Sequence, residues 1–192
     1  MTATRDRIVE TADALFYEKG FAATSFADIA QPLGLSRGNF YYHFKSKDEI
    51  LEAVIARRLT HTADLLATWR GEGQTPLDRI TCFIRILIRN QSKIMAWGCP
   101  VGSLVGELAK LEHHAQGRAA ALFTLFIDWL AEELKAAGVT EGAEDLARHL
   151  LARSQGVAVL AQAFGDERFI AAEVEEMARW AEAQIAAAQP AQ

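Results

Sequence analysis

Apolar residues recur at three- and four-residue steps along most of the chain, and no stretch alternates as a half-buried strand would. The expected fold is therefore all-α. Ile8, Ala12, Leu15 and Phe16 mark a first helix that runs out at Lys19-Gly20-Phe21. Thr24 and Ser25 are cap candidates for a second, with Asp28 able to reach back to its free amides and Phe26, Ile29 and Ala30 facing inward. Pro32 biases Gln31 away from the helical region and is expected to end that helix early. Gly34 permits a tight turn, Ser36 caps a third helix of roughly two turns from Arg37 to Phe44, and Phe40 and Phe44 are left for the core.

Beyond this trio the pattern stays helical. Ser46 with Glu49 reads as a capping box that opens a helix to about Trp69. The glycine-rich stretch from Arg70 to Pro76 is the first break, and Trp97-Gly98-Cys99-Pro100 the second. A short helix from about Val101 to Leu111, a longer one from His114 to Ala137 stopped by Gly138, and a final pair at about 142–164 and 167–188 complete the expectation.

The third helix carries unusual chemistry for a packing element. Arg37 can donate two hydrogen bonds to guanine, and Asn39 suits adenine or a phosphate. Gly38 removes a side chain where a helix would meet a groove. Tyr41, Tyr42, His43, Lys45 and Lys47 offer donors for phosphate oxygens. A DNA reader accounts for this set better than a helical hairpin packed by its aromatics.

Residues 8 to 55 resemble the amino-terminal domain of the TetR family of transcriptional regulators. The matching residues are Ile8, Ala12, Leu15, Phe16, Lys19-Gly20-Phe21, Thr24-Ser25, Asp28-Ile29-Ala30, Gly34-Leu35-Ser36 and Phe40-Tyr41-Tyr42-His43-Phe44-Lys45-Ser46-Lys47. The resemblance implies a three-helix helix-turn-helix domain over residues 1–48. A helical ligand-binding and dimerisation domain would follow over 49–192, with the helix 46–69 as linker. It also implies that Thr24 and Ser25 touch phosphate, that Arg37, Gly38 and Asn39, behind the Ser36 cap, face bases, and that Tyr41, Tyr42, His43 and Lys47 hold the phosphodiester. The expected partner is a palindromic operator in double-stranded DNA, read by a homodimer. The expected function is a ligand-responsive repressor; the alternative is an all-helical small-molecule-binding or interaction protein without specific DNA recognition.

Charge looks wrong for a DNA binder until it is divided. The net charge is −5, yet residues 140–192 hold nine acids and four arginines, while the rest balances. From Gln31 to Lys47 there are three cations and no acid, and binding needs only a local basic face. Two cysteines, Cys82 and Cys99, suit a reducing compartment, no segment is long enough to span a membrane, and nothing at the amino terminus resembles a signal peptide. The expected site is the cytoplasm.

The last two helices carry more apolar surface than one stripe needs. Leu146, Leu150, Ala152, Gly156, Val157, Val159, Leu160 and Ala163 on one, with Phe169, Ile170, Val174, Met177, Trp180, Ala181 and Ile185 on the other, make 142–188 the expected dimer surface. Phe83, Met95, Trp97, Cys99, Leu104 and Phe123 are the expected lining of an effector site. The segment Trp97 to Leu108 resembles a Gly-Cys segment in TetR-type regulators related to repressors of electrophile-detoxifying reductases. That implies a small organic or electrophilic effector with Cys99 as sensor, set against a cysteine that only packs. His113-His114 with Glu107 and Glu112 could suggest a metal, but adjacent helical histidines point about 100° apart. No metal, cofactor or enzyme activity is expected; phosphate loops and nucleophile motifs do not occur.

Overall fold

The computed structural model describes residues 3–188. Ten α-helices and no strand occur among them. They fall into two compact units, one made by the chain up to His61 with Pro100–Ala121, the other by Thr62–Cys99 with the chain from Leu122 onward.

The first unit begins with α1 (Ala3–Lys19), α2 (Phe26–Ala30) and α3 (Arg37–His43), and takes in the start of α4 (Lys47–Glu72). It also contains α7 (Pro100–Lys110) and the start of α8 (Gln116–Ala136). Its core joins Ile8, Ala12 and Phe16 of α1, Ile29 of α2 and Phe40 of α3. Ile50, Leu51, Val54 and Ile55 of α4 and Leu104 and Leu108 of α7 complete it. The sequence places a functional boundary at residue 48; the compact division falls elsewhere, because α7 supplies side chains to the same core as the first three helices.

Proline ends α2, though not by the route expected. Gln31 keeps a right-handed helical backbone (φ −59°, ψ −51°) and donates to Ala27 O. Pro32 stops the helix because it has no N–H for the next bond. The chain then turns as Leu33 and Leu35 donate to Ala30 O, with Gly34 at φ 64°.

In the second unit, α5 (Pro76–Arg89) and α6 (Gln91–Trp97) pack with α9 (Ala143–Phe164) and α10 (Glu167–Ala188). α4 runs through Gly71 to Glu72, so the first break is only three residues long. Pro76 opens α5 behind a Thr75–Asp78 capping box. The core gathers Trp69, Ile80, Phe83, Ile84, Trp129, Leu130, Leu150, Val157, Ile170, Val174 and Met177. Glu133, 4% exposed, is its buried acid, accepting from Arg79 Nε at 2.7 Å and Arg70 Nε at 3.2 Å. Among the described residues no helix is long and apolar enough to cross a membrane.

Candidate nucleic-acid interface

α3 is exposed at its start and anchored by Phe40 and by Phe44, the residue that caps its end. The Ser36 hydroxyl accepts from the Asn39 amide at 3.3 Å, which satisfies one of the free donors of the first turn. Ser36, Arg37, Gly38 and Asn39 are all exposed, while Phe40 and Phe44 are buried at 1% and 0%. Four consecutive exposed residues on a capped helix give a free N-terminal tip.

The aromatic residues divide between support and surface. Phe26 meets Phe40 edge-on at 5.3 Å and Tyr41 at 5.4 Å, which seats α3 on α2. The Arg37 guanidinium lies 5.7 Å from the Tyr41 ring centre, so a cation–π contact pre-places it without consuming its donors. Tyr42 is 77% exposed and stands edge-on to the half-buried His43. Ser25, also exposed, caps α2 by accepting from Asp28 N, and both its amide and its hydroxyl donate to Asp28 Oδ2. These bonds, the hydroxyl's first and the amide's second, hold the Asp28 carboxyl below its ordinary 3.8.

Two of the residues expected at phosphate are occupied elsewhere. Thr24 is 1% exposed, and its hydroxyl donates to Gly20 O at 2.7 Å; the side chain faces the interior and fixes the α1–α2 loop. Lys47 Nζ donates to the carbonyls of Phe21 (2.9 Å), Ala22 (3.3 Å) and Thr24 (3.1 Å) and sits 4.4 Å from the Phe21 ring centre. An ammonium has three hydrogens, and all three are committed. Lys47 is thus a staple between the start of α4 and the loop, a role hidden in sequence because its partners are backbone atoms 23 to 26 residues away.

Sequence reasoning weighed Glu107 only beside a metal and missed its role, a carboxylate that accepts from Phe21 N and Ala22 N; it also missed Arg58. The latter donates to Asp13 Oδ1 at 2.6 Å and to Pro100 O at 2.6 Å, joining α4 to α1 and to the start of α7.

The histidine pair differs from its expected geometry. Glu112 turns with φ 48°, so His113 and His114 do not lie on one helix; their rings stack 4.4 Å apart. One ligand atom each from Asp48, His113 and His114 lies within 4.8 Å of the others. Both nitrogens of His113 are already engaged, Nδ1 by the Ala115 amide at 3.1 Å and Nε2 facing Asp48 Oδ1 at 3.4 Å, and Glu107 is held by the loop amides. This cluster ties the α7–α8 turn to the start of α4.

The six residues expected to line an effector site do not belong to one unit. Phe83 lies in the core of the second unit, with Met95, Cys99 and Phe123 packed partly buried against it, and Trp97 is half-buried. Leu104, 3% exposed, packs instead in the first unit's core, because it sits on the buried stripe of α7 with Leu108. Two concavities, of about 720 and 580 Å³, are lined by first-unit residues and by none of the six; the smaller lies between α2 and α3 at Ser25, Phe26, Arg37 and Tyr41.

A capped, exposed α3 braced on α2 is the geometry of a DNA-reading pair, and comparison with known proteins agrees. Residues 8–54 match the family described as bacterial regulatory proteins, tetR family. The chain is 31% identical, over 69% of each sequence, to an uncharacterised HTH-type transcriptional regulator in the lacX 3' region of Lactococcus lactis subsp. lactis. The chain belongs to the TetR family of transcriptional regulators. It is 37% identical over 86 residues to the HTH-type transcriptional regulator TtgR of Pseudomonas putida, spanning 45% of this chain and 40% of TtgR. A TetR regulator from Legionella pneumophila superposes with a TM-score of 0.83 at 26% identity, covering 94% of this chain and 98% of that one. The reduced form of NemR from Escherichia coli shares the fold, with a TM-score of 0.81 at 17% identity over 92% of this chain and 95% of NemR. This TetR-family chain is a helix-turn-helix transcriptional regulator.

Proposed function

We propose that the protein is a homodimeric, ligand-responsive repressor acting in the cytoplasm, with α3 of each subunit reading one half of a palindromic operator. The observation that carries this reading is the exposed run Ser36-Arg37-Gly38-Asn39 at the tip of a capped helix. Two such tips about one DNA turn (~34 Å) apart match a two-fold site. Ser25 and Tyr42 are proposed as the flanking phosphate contacts, with Tyr41 and His43 beside them.

Pairing is supported by one face of α9. Ala152, Gly156, Val159, Leu160, Ala163 and Phe164 are exposed at helical spacing, Val159 at 64% and Phe164 at 78%. An unsatisfied apolar stripe of this kind suits a second copy of the same chain. Of the other residues expected there, Leu150, Val157, Ile170, Val174, Met177, Ala181 and Ile185 are buried within the chain itself, so α9 carries more of the proposed dimer surface than α10.

Effector binding is assigned to the second unit. Besides Phe83 and its half-buried neighbours, this unit buries the indole N–H groups of Trp69 and Trp129, rings 5.6 Å apart, with no acceptor for either. A selection of random duplexes with the intact protein, its oligomeric state followed by sedimentation, tests the DNA-reading and pairing parts of this reading. The expected result is a palindromic consensus bound by a dimer, far tighter than random DNA and steeply salt-dependent. A monomer at micromolar concentration, or no consensus, refutes it.

A further inference from the structure

The loop between α1 and α2 is gripped from both sides by charge. Glu107 of α7 accepts the Phe21 and Ala22 amide hydrogens, one on each carboxylate oxygen at 2.8 Å. Lys47 of α4 takes the carbonyls of Phe21, Ala22 and Thr24. An anion on adjacent N–H groups and a cation on neighbouring C=O groups fix both polar edges of one short segment. Gly20 makes room for this grip: its φ is 91°, and a Cβ there would stand 3.0 Å from Glu107 Oε1. The Phe21 ring is held as well, edge-on to Phe16 at 5.3 Å and to His113 at 5.2 Å.

What the grip controls follows directly along the chain. Thr24 anchors the end of the loop to Gly20 O, and Ser25 then caps α2, on which α3 rests through Phe26 and Phe40. We infer that Glu107 is a positioning residue for operator recognition: it touches no DNA, lies outside the helix-turn-helix segment, and sets the loop from which α2 and α3 are hung. This rests on the reading of α3 as the DNA-contacting helix.

Without the carboxylate, the Phe21 amide loses its acceptor inside a residue that is only 5% exposed. The loop then samples other arrangements, and DNA must order it on binding, which lowers affinity. Simple electrostatics has the opposite sign. Removing a negative charge from a unit that approaches a polyanion strengthens binding. The direction of the change therefore separates positioning from charge.

The test uses the intact chain and an operator selected with the wild-type protein. Glu107→Gln keeps the shape but turns one of the two acceptor oxygens into an NH2 donor facing a backbone N–H, Glu107→Ala removes both acceptors, and Glu18→Gln, an exposed acid on α1, controls for charge alone. Expected are roughly tenfold weaker operator binding for both Glu107 variants, faster hydrogen exchange at Phe21 and Ala22, and an unchanged slope of affinity against salt. Glu18→Gln should bind as tightly as wild type or tighter. An unchanged slope marks the same phosphate contacts made from a less ordered start, which a misfolded reader would not show. Operator affinity for Glu107→Gln equal to or above wild type overturns the inference, as does unaltered exchange at the two amides. Should Glu107→Ala fail to fold, Glu107→Gln carries the test alone. The exchange measurement needs no DNA, so failure of the clamp and failure of the DNA-reading assignment are told apart.

Discussion

The first unit sets the polar groups of its α3 tip in the open, whereas the second closes those of Glu133 and its two core indoles inside. Ser36, Arg37, Gly38 and Asn39 are exposed at the head of a seven-residue helix. In the second unit Glu133 is closed over by two arginines, and the indoles of Trp69 and Trp129 are sealed in the core. The first arrangement spends residue identity on what an outside partner sees. The second spends residue volume on how long helices meet. A substitution in one should therefore change binding with little change in folding, and in the other the reverse.

The largest effect is expected where a buried charge loses its partner. Glu133→Ala leaves the Arg79 guanidinium, 18% exposed, without its carboxylate and removes the acceptor of Arg70 Nε. Breaking a buried pair in this way costs about 3–5 kcal/mol. Urea unfolding should show that loss, with the Arg70–Glu132 pair at the more exposed rim unable to compensate. A loss below about 1 kcal/mol would mean that the second unit holds itself by apolar packing alone.

Arg37→Ala is the mirror experiment in the first unit. Operator affinity should fall by roughly 1–3 kcal/mol, with relaxed preference at one position of each half-site. The unfolding midpoint should not move, because Arg37 is exposed and its one described contact is with the Tyr41 ring. A variant that binds the selected operator like wild type, or that unfolds earlier, breaks the proposed division of labour.

Legibility in the sequence divides along the same line. Ser25 with Asp28, Ser36 before Arg37, and Gly34 between them state their roles locally, so the caps and the turn could be placed from spacing alone. Most helix boundaries followed for the same reason, but α4 ran through Gly71 to Glu72, α8 began at Gln116 and not at His114, and the end of α5 at Asn90 carried no glycine or proline signal. The role of Lys47 was not legible, since its three acceptors are carbonyls, which no side-chain pattern encodes. Nor was that of Glu107, whose two donors are amides 85 and 86 residues away. Leu104 was assigned by apolar character, and apolar character cannot say which of two cores receives a side chain.

Lys47→Ala sharpens the comparison, because it lies in the first unit yet should behave like a second-unit residue. Losing three bonds to loop carbonyls should cost about 1–2 kcal/mol, seen as faster exchange at Phe21 to Ser25. The salt slope of operator binding should stay as in wild type, since the ammonium is spent inside the protein. A slope reduced by about one would show that Lys47 leaves the loop to meet phosphate.

The smallest effects come from one device that both units share. Ser25 with Asp28 opens α2 and Thr75 with Asp78 opens α5, each as a full capping box. Serine or threonine to alanine at such a cap costs about 1 kcal/mol, but the helices differ in length, five residues against fourteen. Ser25→Ala should therefore loosen all of α2, and with it the seat of α3, while Thr75→Ala should fray only the first turn of α5. Acid makes the same comparison without mutation. The hydroxyl of each cap, and then its amide, holds Asp28 and Asp78 below the ordinary 3.8. A folded-state pKa depressed in this way contributes stability that is complete above 3.8 and is lost as pH falls through the lower folded value. Carboxyl chemical shifts followed by NMR should give midpoints below 3.8 for both residues. Amide exchange should rise across α2 and only at the first turn of α5 as they protonate. Equal loosening of the two helices would show that α2 is held by its packing on α1 and α3 and not by its cap.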